Sequence, residues 1–241
     1  KTHGVIVMVE MGELREGIAR SDVINFYEKL FSLKNIRIVG LGTNLGCMYG
    51  VEPTFDKLIQ LSLFKQLIES NFDCKLELLS GGSSLTLPVL PRKRVPKEVN
   101  HFRIGETAFL GNSLSTGKQF KNLSTRVFDF SATIVEMEEK ATQPEGIISE
   151  ANVGDTAAMN TSPGEKSYRC ILDFGKLDVD VNDLTPKKNY VKFAGTTSDM
   201  TVYTIEKNYE RYNVGDKVHF APNYMAIARI MNSRYITKDV K

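Results

Sequence analysis

Ile36-Arg37-Ile38-Val39-Gly40-Leu41-Gly42 decides the fold. It is a strand-length apolar run with no strict alternation, the pattern of a strand covered on both faces of a parallel sheet. A loop through Gly50 and Pro53 leads from it to a helical stretch from about Thr54 to Ser70. Phe55, Leu58, Leu61, Phe64, Leu67 and Ile68 form the expected apolar stripe of that helix. Cys74 to Leu79 then reads as the next strand and ends in Ser80-Gly81-Gly82-Ser83-Ser84. Outward toward the start lies a similar pair. Val5-Ile6-Val7-Met8-Val9 is a buried-type strand, followed by the polar run Glu10 to Gly17. Ser21 or Asp22 then caps a helix whose apolar positions include Ile24, Tyr27, Leu30 and Phe31. Outward toward the end, His101-Phe102-Arg103-Ile104 reads as a fourth strand. Strand, polar loop and helix in repetition mark βα units, and three or four of them make about half of an eight-stranded barrel.

The pattern changes after Gly117. Phe128 to Val135 alternates with period two, and Tyr168 to Phe174 does so less cleanly. Tyr190 to Phe193, Met200 to Ile205 and Lys217 to Phe220 add short strands between turns at Gly175, Asn182, Gly195 and Asn213-Val214-Gly215-Asp216. These features predict an antiparallel β domain. The expected organisation is a partial (β/α) barrel over residues 1–117 and a β domain over 118–241, with a Ser/Thr/Gly/Lys-rich linker near 112–126. The chain opens on Lys1-Thr2-His3-Gly4 and runs at once into a parallel-type strand. Two readings stay open there: a preceding part removed, or a natural first strand after a tag remnant.

Composition narrows the function classes. The 241 residues are 41% hydrophobic and 25% charged, with 31 basic and 29 acidic side chains and a formal net charge of +2. That is the balance of an ordinary globular protein rather than a nucleic-acid binder. The one basic cluster, Pro91-Arg92-Lys93-Arg94, has no aromatic interleaving and reads as a solvated loop. Three widely spaced cysteines, Cys47, Cys74 and Cys170, fit no zinc pattern and suggest reduced thiols and a cytoplasmic setting. No apolar run approaches the ~20 residues of a membrane span, and no secretory signal opens the chain.

In parallel α/β units chemistry sits at the carboxyl ends of the strands. Four such ends carry small or polar residues: Glu10 to Gly17, Gly42 to Gly46, Ser80 to Ser84, and Arg103 to Glu106. The Ser-Gly-Gly-Ser-Ser run can hold an anion, since its glycine N–H groups approach closely and its hydroxyls donate. The alternative is a flexible loop with incidental serines. Arg15 and Arg103 offer permanent charge and a rigid donor fork, or else serve as surface salt-bridge partners. Gly40-Leu41-Gly42-Thr43-Asn44-Leu45-Gly46 fails as a dinucleotide fingerprint. Its spacing is Gly-x-Gly-x-x-x-Gly, and no helix opens at once. Asp178, Asp180 and Asp183 cluster in what reads as a solvated turn. The three histidines are scattered, and no nucleophile elbow, P-loop or His-Glu-x-x-His occurs.

Taken together, Val9 to Gly17, Gly40 to Leu45, Ser80 to Ser84 and Phe102 to Glu106 resemble the alanine racemase superfamily, most of all its ornithine racemase branch. The likeness is strong over residues 5–111. It weakens through Asp173 to Asp180, Thr197-Ser198-Asp199 and Asn223-Tyr224, and residues 145–166 depart most. The resemblance implies the C-terminal part of a (β/α)₈ TIM-type barrel followed by an antiparallel β domain, with pyridoxal 5'-phosphate at the barrel mouth. It implies racemisation of a free amino acid by proton exchange at Cα, and a homodimer with shared active sites. By the motifs, Arg15 is similar to the arginine near the cofactor's phenolic oxygen, and Asn44 to the residue facing the ring. Ser83 and Ser84, in the run with Gly82, look like phosphate ligands together with the backbone of Gly105. Arg103 is similar to the arginine on the pyridine nitrogen. Tyr235 aligns with a further phosphate contact, and Asp199 with a residue near the partner's active site. The family's cofactor-binding lysine lies on the first barrel strand, and no lysine here matches its motif. The expectation is therefore a chain lacking that segment. A D-amino-acid aldolase of the same fold, and a non-catalytic homologue that binds a phosphorylated ligand, are the alternatives.

Overall fold

A computed structural model describes residues 1–92, 94–149, 153–158, 164–207 and 209–240. Lys93 of the basic cluster, and residues 150–152 and 159–163 of the most divergent stretch, lie outside the described residues. The chain forms two compact units, Lys1–Thr125 and Arg126–Lys241. Among the described residues no helix is long and apolar enough to cross a membrane.

The first unit is built on a four-stranded sheet in the order β1-β2-β3-β4, with every pair parallel. The strands are β1 (His3–Met8), β2 (Ile36–Gly42), β3 (Leu78–Ser83) and β4 (His101–Arg103). Helix α1 (Val23–Phe31) joins β1 to β2, α2 (Phe55–Phe72) joins β2 to β3, and the short α3 (Glu106–Leu110) follows β4. Thr54 starts α2, its side chain accepting from Lys57 N at 3.3 Å. Asp22 stands at the start of α1 without capping it, and its carboxylate accepts from the Asn25 side chain instead. Val23 and Tyr27, four residues apart, turn the buried face of α1 inward. Leu58, Leu61 and Ile68 do the same for α2 and join Val7, Leu41 and Leu79 in one core.

Three expectations need correction. Phe55 and Leu67 are each 44% exposed, so the inward stripe of α2 is narrower than its sequence suggests, with the small Ser62 taking an inner place. The third strand starts at Leu78 rather than Cys74, and it runs through Ser80-Gly81-Gly82-Ser83, which is ladder and not turn. Glycine is required there by close approach. A Cβ on Gly82 would sit 1.8 Å from the Phe102 ring of β4. The serines thereby stand on a rigid strand, with a 3-10 helix, Ser84–Arg92, taking over at Ser84.

The second unit is a seven-stranded antiparallel sheet in the order β6-β9-β10-β7-β5-β11-β8. Its strands are β5 (Phe130–Ala141), β6 (Asp155–Thr156), β7 (Lys166–Leu172), β8 (Leu184–Pro186), β9 (Val191–Thr196), β10 (Thr201–Ile205) and β11 (Lys217–Pro222). Alternation along β5 buries Phe130, Ala132 and Ile134. They pack with Leu172, Tyr203 and Phe220 in a separate core. A helix absent from the sequence reading, α4 (Tyr224–Asn232), closes the unit, and Asn223 caps it by accepting from Ala226 N at 3.0 Å. The fold class is the one expected: parallel βα units followed by an antiparallel β domain.

Candidate active site

The polar residues of the first unit gather at the carboxyl ends of its strands. The loop after β1 is pinned at its base, where Glu10 N donates to Ile18 O and Ile18 N to Met8 O, both at 2.9 Å. Within it the Glu10 carboxylate accepts from the backbone N–H groups of Gly12 and Arg15. Burial pushes that carboxyl up, but its bonds to this backbone outweigh burial and hold it below its ordinary value. The loop presents Arg15, which is exposed and pairs with Glu16, and whose Nη1 contacts Cys47 Sγ in the loop after β2. The bond to Glu16 raises the Arg15 guanidinium and lowers the Glu16 carboxyl.

Arg103 ends β4, and residues of β3 and just past β2 hold its guanidinium. Nη2 donates to Thr43 O at 2.8 Å and to Asn44 Oδ1 at 3.3 Å, both just past β2. Nη1 donates to Ser80 of β3, through its carbonyl and its hydroxyl. Ser80 Oγ is also 2.8 Å from His101 Nδ1. The Ser80 hydroxyl thus bridges the Arg103 guanidinium and the His101 ring. Burial lowers the Arg103 pKa, Glu16 opposes that, and Arg15 adds to the lowering. The charges of the β1 loop and of β4 therefore act on one another. A guanidinium stays protonated at working pH even so.

The register of β3 on β4 sets Ser83 opposite Arg103. The next residue, Ser84, is 5% exposed, and its Oγ accepts from Gly105 N and Thr107 N, each at 3.3 Å. Ser83 Oγ accepts from Leu85 N. Among the described residues two buried hydroxyls at these tips, Thr43 Oγ1 and Thr107 Oγ1, have no hydrogen-bond partner. Buried polar atoms without partners are costly, so an added polar group at the tips would relieve them. A phosphate ester fits this donor set, and a protonated guanidinium beside it fits a heteroaromatic nitrogen. The residues present therefore suit pyridoxal phosphate. Two cavities of the unit lie elsewhere. One of about 380 Å³ runs along β1 beside Phe26 and Leu30, and the other is walled by Phe55, Leu85 and Arg94.

Asn44, Gly82, Ser83, Ser84, Arg103 and Gly105 are thus neighbours, and Arg15 joins them through Cys47 and through charge. Asp199 and Tyr235 belong to the second unit. Asp199 is exposed in the turn between β9 and β10 and accepts from Ser198 Oγ at 2.9 Å, while Tyr235, also exposed, follows α4. The acidic turn has structural work. Asp178 accepts from Gly175 N, Asp180 from Asn182 N, and Asp183 from the Asn223 side chain. Among the described residues no group of three His, Cys, Asp or Glu side chains could hold a metal.

Sequence reasoning missed Ser80 as a holder of Arg103, with His101 behind it, and it missed Glu13. Glu13 is 1% exposed, and its two carboxylate oxygens accept from five backbone N–H groups: Gly46, Cys47, Tyr49, Gly50 and Val51. Burial raises its pKa, yet the N–H groups led by Tyr49 and Cys47 prevail and hold it at about 2. An acidic residue flanked by glycine and leucine in a strand-end loop was the available signal.

Residues 1–113 match the family described as alanine racemase, N-terminal domain. An ornithine racemase of Acetoanaerobium sticklandii is 30% identical over 241 residues, which is all of this chain and 68% of that protein. A lysine racemase of Thermotoga maritima is 29% identical over 234 residues, covering 97% of this chain and 64% of the relative. Among solved structures, an alanine racemase of Clostridium difficile 630 superposes with a TM-score of 0.62 at 16% identity, covering 96% of this chain and 60% of its own. The chain thus spans about two thirds of the length of these curated relatives and less of the solved structure.

Proposed function

The chain belongs to the alanine racemase family, and from that premise we propose that its protein is a pyridoxal-phosphate-dependent racemase of a basic or small free amino acid. The observation that carries the reading is the Arg103 guanidinium, held by Thr43 O and Asn44 Oδ1 just past β2 and by Ser80 within β3.

In this reading Ser84 and the Gly105 N–H, with Ser83 and the strand backbone at Gly82, hold the phosphate. Arg15 lies near the phenolic oxygen and Asn44 near the ring face. Arg103 faces the pyridine nitrogen. When bound, pyridoxal phosphate supplies an electron sink for the charge left at Cα as its proton departs. Arg103 tempers that sink. Its guanidinium keeps its own proton, so it would donate a hydrogen bond to the ring nitrogen without protonating it. A moderate sink suits reversible proton exchange at Cα. The covalent anchor falls to the family's lysine on the first barrel strand, whose motif no lysine of this chain matches. Asp199 and Tyr235, and the homodimer with shared sites, enter this reading on the resemblance alone.

The test is chiral chromatography of L-ornithine, L-lysine and L-alanine incubated with the full-length protein and pyridoxal phosphate. We expect the D-enantiomer of at least one of them, and a loss of about 100-fold or more in kcat for Arg103→Leu. Bound cofactor with no D-amino acid formed, or an Arg103→Leu variant at full rate, contradicts the reading.

A further inference from the structure

The run past β2 carries two glycines in the left-handed region, and its backbone N–H groups converge on one anion. Gly46 and Gly50 both have φ +72°, and Gly46 also has the side chain of Leu85 where a Cβ would be, at 2.3 Å. Such a backbone turns successive N–H groups inward and makes an anion-binding concavity. Here the anion is the chain's own. Glu13 Oε1 takes the N–H groups of Cys47, Tyr49 and Gly50, and Oε2 takes those of Gly46 and Val51. The residues 46–51 belong to no helix or strand, so this carboxylate is what organises them.

We propose that Glu13 is a positioning residue: it seats the 46–51 loop on the tip of β1 and thereby sets where Arg15 is presented to the site. The proposal rests on the racemase reading for what Arg15 meets, but not for the seating itself. The chain geometry supplies the coupling. Glu13 lies two residues before Arg15, and the Arg15 guanidinium contacts Cys47 in the middle of the seated loop. A second tie holds the loop after β1, where Lys57 Nζ of α2 donates to Met11 O at 2.6 Å. One buried side chain therefore fixes two of the four strand-end loops relative to each other. It also diverts an anionic ligand away from the 46–51 concavity and toward Ser84 and Gly105.

An ionised carboxylate accepts on both oxygens and presents no donor to the N–H groups around it. In Glu13→Gln one oxygen becomes an NH₂ that opposes the N–H groups it replaces, and the loop loses its seat. Three readouts follow, all on the full-length protein. In the wild type, amide exchange at Cys47, Tyr49, Gly50 and Val51 is slowed about 100-fold or more relative to free peptide. In Glu13→Gln that protection is lost while the amides of β2 and β3 keep theirs. Without cofactor, Cys47 of the variant reacts with iodoacetamide about tenfold faster, and with cofactor the dissociation constant for pyridoxal phosphate rises about tenfold, the effect of one lost charge-assisted bond. Free-peptide exchange rates in the wild type overturn the proposal, and this arm stands even where the variant fails to fold. Native exchange, native Cys47 labelling and native cofactor affinity in a folded Glu13→Gln also overturn it. A wild type that shows the seated loop but neither binds pyridoxal phosphate nor racemises overturns the racemase reading and leaves the seating of 46–51 by Glu13 intact.

Discussion

Glu13 is marked in the sequence only by its place in a strand-end loop, yet it takes five backbone N–H groups in the structure. Its five donors lie more than thirty positions away in the chain, so no local pattern announces them. Its ionisation has a direct consequence for stability. The folded-state pKa is about 2, below the ordinary 4.5. A carboxyl depressed on folding contributes fully above its unfolded value and loses that contribution as pH falls toward its folded value. We therefore expect the stability gap between wild type and Glu13→Gln to be constant from neutral pH down to about 5, then to narrow between about 4.5 and about 2. Urea midpoints across that range check it, and a gap that stays flat down to about pH 3 would refute the assignment. Other residues were legible without coordinates. Arg15, Asn44, Ser84 and Arg103 stand at strand ends, where parallel sheets place polar residues for a purpose. What the strand-end rule could not supply was the support behind them. Ser80 holds Arg103 from within the ladder and is itself bonded to His101, a partnership that depends on register.

Elements were legible in proportion to how far local periodicity governs them. Strand β2 begins and ends where its apolar run does. Strand β3 does not, because serine and glycine signal a turn by composition, and only the Phe102 ring packed on Gly82 reveals them as ladder. Helix α4 went unread beside strands of similar apolar content, although Asn223 caps it. Helix α2 offers a quantitative check on its narrowed face. Leu61 is fully buried, whereas Leu67 is 44% exposed. Leu61→Ala should cost about 3 kcal/mol through lost burial and a residual cavity, and Leu67→Ala less than about 1 kcal/mol. Chemical denaturation separates the two. Equal costs would return Leu67 to the apolar stripe that the sequence suggests.

At the scale of the molecule, two units each carry their own core, one around Leu61 and Leu79 and one around Ile134 and Phe220. The change from βα repetition to alternating strands made that division readable. The proposed chemistry falls in the parallel unit, where four strand ends can share a ligand. The central claim is that these tips surround one cofactor, with Arg103 toward its nitrogen and Ser84 toward its phosphate. A crystal structure of the full-length protein with pyridoxal phosphate tests it most directly. The account predicts an Arg103 nitrogen about 3 Å from the pyridine nitrogen, with the phosphate on Ser84 and the Gly105 N–H. A pyridine nitrogen facing a carboxylate, or a phosphate seated in the 46–51 loop in place of Glu13, would contradict it.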